Sequence, residues 1–89
     1  MIVHVESERL VATRIGAAIR AAREEQGLRQ ADLALAAGVS LRHLIAVEAG
    51  KPTVQLDGVL RILGVVGLTL EVAPVRAGLA GGTPPRGHD

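Results

Sequence analysis

The apolar positions of this chain change their period along its length, and each change marks an element. The first five residues, MIVHV, alternate weakly and predict a short strand or arm within residues 1–6. Ser7 carries a hydroxyl that can cap a helix, and Thr13 offers a second start. Over residues 15–26 the spacing is helical. Ile15, Ile19 and Ala22 share a face, with Arg20, Arg23 and Glu24 beside or opposite it. Gly27 ends this helix. A short helix over 30–37 carries Leu33, Ala34 and Ala37, and Gly38 breaks it. Ser40 caps a third helix over 40–49, which Gly50 and Pro52 stop. A fourth helix covers 56–66 and is expected to bury Leu56, Leu60 and Leu63 before Gly67.

The period then drops to two. Leu68, Leu70 and Val72 alternate with Thr69 and Glu71, which predicts a strand over 68–73, ended by Pro74. Residues 74–89, which close with AGLAGGTPPRGHD, are rich in Gly and Pro and have little to bury, so a disordered tail is expected there. A lone strand leaves its backbone groups unpaired and needs a partner, either MIVHV or a second copy of the chain. The simplest arrangement is a two-fold dimer in which residues 68–72 pair with their own mate. Burying Leu68, Leu70 and Val72 there would contribute about 1.5–3 kcal/mol per fully buried side chain.

Composition narrows the function classes. Eighty-nine residues make one domain with a modest core. The chain has no cysteine, which excludes a disulfide framework and a thiolate metal site and fits a reducing cytoplasm. It has no Phe, Tyr or Trp, which removes the stacking platforms used on single-stranded nucleic acid and RNA. Net charge is +1, but seven basic residues face four acidic ones between Arg9 and Lys51. That local excess sits where a nucleic-acid footprint is wanted. His4, His43 and His88 are scattered without ligand spacing, and adjacent Glu24 and Glu25 diverge on a helix. No catalytic set, metal site or cofactor motif is expected. Neither a signal peptide nor a membrane span is expected.

The informative stretch is QADLALAAGVSLRHLIAVEAG, residues 30–50. It reads helix, glycine turn, helix. Ala34 is small where two helices would cross, Gly38 suits a turn with positive φ, and Val39, Leu44 and Val47 can pack the second helix on the first. The remaining face of that second helix begins with Ser40, Leu41 and Arg42 and continues through Ile45 and Ala46. Positions at the start of such a helix are the ones offered to base edges in a major groove.

With GLRQADLALAAGVS, LRHLIAVEAGK and LDGVLRILGVVGL in succession, residues 15–67 resemble the lambda-repressor-like, or XRE-type, helix-turn-helix family. The continuation GLTLEVAP is similar to HipB-like antitoxins, dimers that repress their own operon and build a C-terminal strand into the dimer interface. The resemblance implies an all-α, four- to five-helix lambda-repressor-like DNA-binding domain over 7–67, with recognition helix 40–49 and a short C-terminal β-strand for dimerisation over 68–73. It implies a homodimeric, sequence-specific repressor on double-stranded operator DNA, at the nucleoid of a bacterial cytoplasm. The narrower match implies an autoregulatory antitoxin with a kinase-like toxin partner. Two alternatives stand beside it: a module that neutralises such a partner with vestigial DNA binding, and a stand-alone XRE regulator without a toxin.

The resemblance also assigns roles. Gln30 would hold a phosphate and brace the recognition helix. Arg42 would fork onto guanine O6 and N7 or clamp a phosphate. Leu41 would pack on a thymine methyl, His43 would face the DNA backbone, and Lys51 would meet a phosphate. Ser40, Ile45 and Ala46 complete the face. Arg29 replaces the usual Ser or Thr cap and adds a cation near the DNA. Arg23 and Glu48 match a structural ion pair. Helix three has no Gln or Asn to fork onto adenine, which shifts specificity to Arg42, methyl contacts and DNA shape.

Overall fold

The computed structural model describes residues 2–4 and 7–73. Its elements run β1 (Ile2–His4), α1 (Glu8–Glu25), α2 (Gln30–Ala37), α3 (Leu41–Glu48), α4 (Leu56–Val66) and β2 (Glu71–Ala73). The fold is all-α and lambda-repressor-like, with a short C-terminal strand. The tail expected over 74–89 lies outside the described residues.

Local chemistry sets the helix ends. Ser7 caps α1, its Oγ accepting from the Leu10 backbone N–H at 3.1 Å. Thr13, the other expected start, sits inside the helix and donates to the Arg9 carbonyl at 2.9 Å. At the α2–α3 turn Gly38 takes φ 70°, a left-handed conformation that costs a residue with a Cβ. Ser40 then caps α3 by accepting from the His43 backbone N–H at 3.0 Å.

The core is aliphatic, as a chain without aromatic residues requires. Ile19, Leu33, Leu44, Ile62 and Leu63 are its largest fully buried members. Each side chain of this size contributes roughly 1.5–3 kcal/mol when taken out of water. One close approach makes this packing possible. Gly16 of α1 lies against the backbone carbonyls of Val47 and Glu48 at the end of α3, where any Cβ would collide.

One expectation is corrected. Leu56 and Leu60 are 63% and 47% exposed. The buried face of α4 is Gly58, Val59, Ile62, Leu63 and Val66, so these two leucines stand one stripe round from it. Asp57 and Arg61, one turn apart, mark the wet face of α4, and the buried face lies opposite them; Leu56 and Leu60 border the wet face.

The strand has a partner within its own chain. β2 runs parallel to β1, with Ile2 opposite Glu71, Val3 opposite Val72 and His4 opposite Ala73. This is the first of the two partners named for it. Leu68 and Leu70, expected at a dimer seam, are half-buried against the core of their own chain, while Val72 is exposed. The Leu68 backbone N–H donates to the Leu63 carbonyl at 2.9 Å, closing α4 after Gly67, and the strand expected over 68–73 is confined to Glu71–Ala73.

Gly16→Ala is expected to destabilise the fold by about 1–3 kcal/mol, the usual cost of overpacking. Equilibrium urea unfolding checks this, and an unchanged midpoint would contradict the close approach.

Candidate nucleic-acid interface

The orientation of α3 is held by charge as well as by packing. Arg23, late in α1, meets Glu48, the last residue of α3. Its Nε donates to Oε2 at 2.7 Å and its Nη2 donates to Oε1 at 3.0 Å, a bidentate fork. The two side chains are only 11% and 4% exposed. Arg23 Nη1 also donates to the Leu28 carbonyl at 2.9 Å, and Gln30 Nε2 donates to Glu48 Oε1 at 3.1 Å. Three donor atoms thus converge on one carboxylate, and burial is compensated by hydrogen bonds. The bond to Glu48 raises the Arg23 pKa above its already high ordinary value, against the opposing effect of burial, so the guanidinium stays charged.

Gln30, expected to touch a phosphate and to brace α3, braces it here directly. Arg29 is exposed, yet its charge is paired. Nε and Nη2 bond the two carboxylate oxygens of Asp32 at 3.0 Å each. Asp32 also accepts from the Arg29 backbone N–H at 3.2 Å. That is the reach-back half of a capping box without a side-chain cap from Arg29, and the Arg29 side chain holds the Asp32 carboxyl below its ordinary pKa. Arg29 is therefore a partly neutralised cation beside α2.

The outer face of α3 is short and mainly apolar. Leu41 and Ile45 are 43% and 46% exposed, and Arg42 stands between them, exposed. Ala46 is half-buried beneath them. The hydroxyl of Ser40 is engaged as the α3 cap. His43 is half-buried. Its Nε2 is buried against Gly58 of α4, where a Cβ would collide with the ring, so it spaces α3 from α4. The same residue also borders the cleft beside Arg42 and Lys51.

A shallow cleft between α3 and the α3–α4 loop gathers Arg42, His43, Ala46, Lys51, Thr53 and Gln55. Lys51 is thereby placed beside Arg42. Thr53 and Gln55 were missed in the sequence. The signal for them was the polar loop KPTVQ between Gly50 and Leu56, which had been read only as a helix stop. Arg61 adds a brace from α4, its Nε donating to the Ala37 carbonyl at 3.2 Å at the end of α2.

Among the described residues no cluster of three or more His, Asp or Glu side chains could hold a metal ion, and no helix is long and apolar enough to cross a membrane.

Comparison with known proteins is consistent with this geometry. The family model described as helix-turn-helix matches residues 19–72, which contain the end of α1, all of α2 to α4 and the start of β2. An uncharacterized HTH-type transcriptional regulator, y4mF, of Sinorhizobium fredii (strain NBRC 101917 / NGR234) is 48% identical over 58 residues, covering 65% of this chain and 76% of the relative.

Removing one member of the buried pair strands the other. Glu48→Ala is expected to cost about 3–5 kcal/mol of stability. In a double-mutant cycle, Arg23→Ala with Glu48→Ala is expected to cost less than the sum of the single changes, by about 0.5–3 kcal/mol of coupling. Additive losses by urea unfolding would show that the pair does not act as a unit.

Proposed function

The chain belongs to the XRE-type helix-turn-helix family, and from that premise we propose that it is a homodimeric transcriptional repressor that reads double-stranded operator DNA with α3. The observation that carries this reading is the set of outward side chains at the start of α3, Leu41, Arg42 and Ile45, with Lys51 and the polar loop residues Thr53 and Gln55 alongside. Phosphate contacts position such a domain, and base contacts specify its site. Lys51, Thr53 and Gln55 are suited to the first task. Arg42 is suited to the second, because its guanidinium matches guanine O6 and N7. Leu41 and Ile45 offer methyl-to-methyl contact with thymine. Two copies would meet half-sites about 34 Å apart, one turn of duplex, or a multiple of it.

A narrower reading makes the chain an autoregulatory antitoxin that also holds a kinase-like toxin. It draws on the strand placed directly after α4. One observation favours a partner-holding role: the apolar character of the exposed α3 face, which protein surfaces can cover as readily as thymine methyls. Co-purification with the product of an adjacent kinase-like gene supports the antitoxin, whereas a selective operator shift without any such partner supports the stand-alone regulator.

Arg42→Ala is expected to weaken operator binding by about 1–3 kcal/mol and to relax selectivity at one base pair per half-site. Gel shifts on operator variants measure this. Equal weakening on every variant would make Arg42 a phosphate contact. Absence of any sequence-selective shift by the wild-type chain, at low and moderate salt, would overturn the repressor reading. The wild-type affinity itself is expected to fall steeply with salt, because phosphate contacts release counterions.

A further inference from the structure

We propose that the chain binds an apolar α-amino acid in a cleft at the end of α3, and that this ligand weakens its grip on DNA. The cleft lies between the first half of α1, the end of α3, the α3–α4 loop and the start of α4, and holds about 280 Å³. That size suits one small molecule. An apolar cavity of roughly 150 Å³ holds a benzene, and sites for drug-sized ligands begin at about 300 Å³. Val47 and Val59, both buried, form its floor. Val11, Ile15 and Val54, half-buried, form its walls. These short, branched side chains do not reach across the space, and the chain has no aromatic residue to fill it.

The rim identifies the occupant. Glu8 contributes to it from the first turn of α1, and Lys51 from just after α3. Both are exposed, and neither side chain has an ion-pair partner among the described residues. An apolar cleft bordered by a free carboxylate and a free ammonium matches a ligand with the same three parts. An α-amino acid carries its ammonium and carboxylate on one carbon and directs its side chain away from both. Its ammonium would pair with Glu8, its carboxylate with Lys51, and its side chain would cover the valines. An aliphatic acid would set a second negative charge beside Glu8, and an aliphatic amine would set a second cation beside Lys51.

The α3–α4 loop joins this cleft to the DNA face. Lys51 and Val54 line both this cleft and the one beside Arg42. A ligand carboxylate held by Lys51 takes that ammonium away from the DNA phosphate assigned to it above. The effect on DNA therefore rests on the repressor reading, whereas the binding of the amino acid does not.

Titration calorimetry of the full chain, without DNA, tests the site. Leucine and phenylalanine are expected to bind with a Kd of about 1 mM or tighter, an affinity within reach of ligands of this size. Isocaproate, which lacks the ammonium, isoamylamine, which lacks the carboxylate, and serine, which lacks the apolar side chain, are each expected to bind at least about tenfold more weakly than leucine. Glu8→Gln is expected to weaken leucine about tenfold without weakening isocaproate, and to leave the far-UV circular dichroism spectrum unchanged. Absence of binding by both amino acids would overturn the site, as would equal affinity for leucine and isocaproate, or a folded Glu8→Gln chain that binds leucine like wild type. Gel shifts then test the consequence. At a leucine concentration that saturates only the wild type, its DNA affinity is expected to fall about tenfold and that of Glu8→Gln to stay as it was. Unchanged DNA affinity of the leucine-saturated wild type would overturn the regulatory role. A chain that shifts no duplex selectively even without leucine would instead overturn the repressor reading.

Discussion

The fork between Arg23 and Glu48 is the interaction on which the remaining geometry depends. α3 has eight residues, too few to be stable as a helix on its own, since isolated helices below about 12–15 residues are marginal in water. Its neighbours must therefore supply both its existence and its direction. Aliphatic contacts from Leu44 and Val47 supply attraction, but hydrophobic burial has no preferred direction. The ion pair does. It fixes the C-terminal end of α3 to α1 and, through Gln30 and the Leu28 carbonyl, to the start of α2. Gly16 is the steric counterpart, because only a residue without a side chain lets α1 come close enough to the end of α3 for the fork to close.

With its far end fixed, α3 presents its first turn outward. Each of its other faces has a structural use. Ser40 caps it, His43 spaces it from α4, and Leu44 and Val47 fill the core. What remains exposed on α3 is small: Leu41, Arg42, Ile45 and the polar cleft beside them. A face with one charged reader discriminates weakly by itself. A second copy at fixed spacing would then supply much of the selectivity, because two half-sites must match together. α4 supports α3 through Gly58 and His43.

Much of this was legible in the sequence, and the reasons differ by element. The helix-turn-helix was readable because its glycine turn, its capping serine and its apolar spacing all agree over residues 30–50. The Arg23–Glu48 pair was readable only through family resemblance, since nothing in residue spacing brings positions 25 apart in the chain together. The buried face of α4 was misread because leucine spacing was followed in place of the polar positions Asp57 and Arg61, which mark the opposite face. The packing of His43 Nε2 on α4 was hidden for a different reason: it depends on the absence of a side chain at Gly58, on another helix. The pairing of β2 with β1 was one of two open possibilities, and a period-two pattern cannot name the partner of a strand.

The most direct measurement of the central reading is selection of binding sites from a pool of random duplex DNA by the purified full chain. The expected result is enrichment of a two-fold symmetric motif with half-sites about one helical turn apart and a guanine in each half-site, with enrichment lost for Arg42→Ala at that guanine alone. A pool that stays random after repeated rounds at low salt, with a chain shown to be folded, would contradict it.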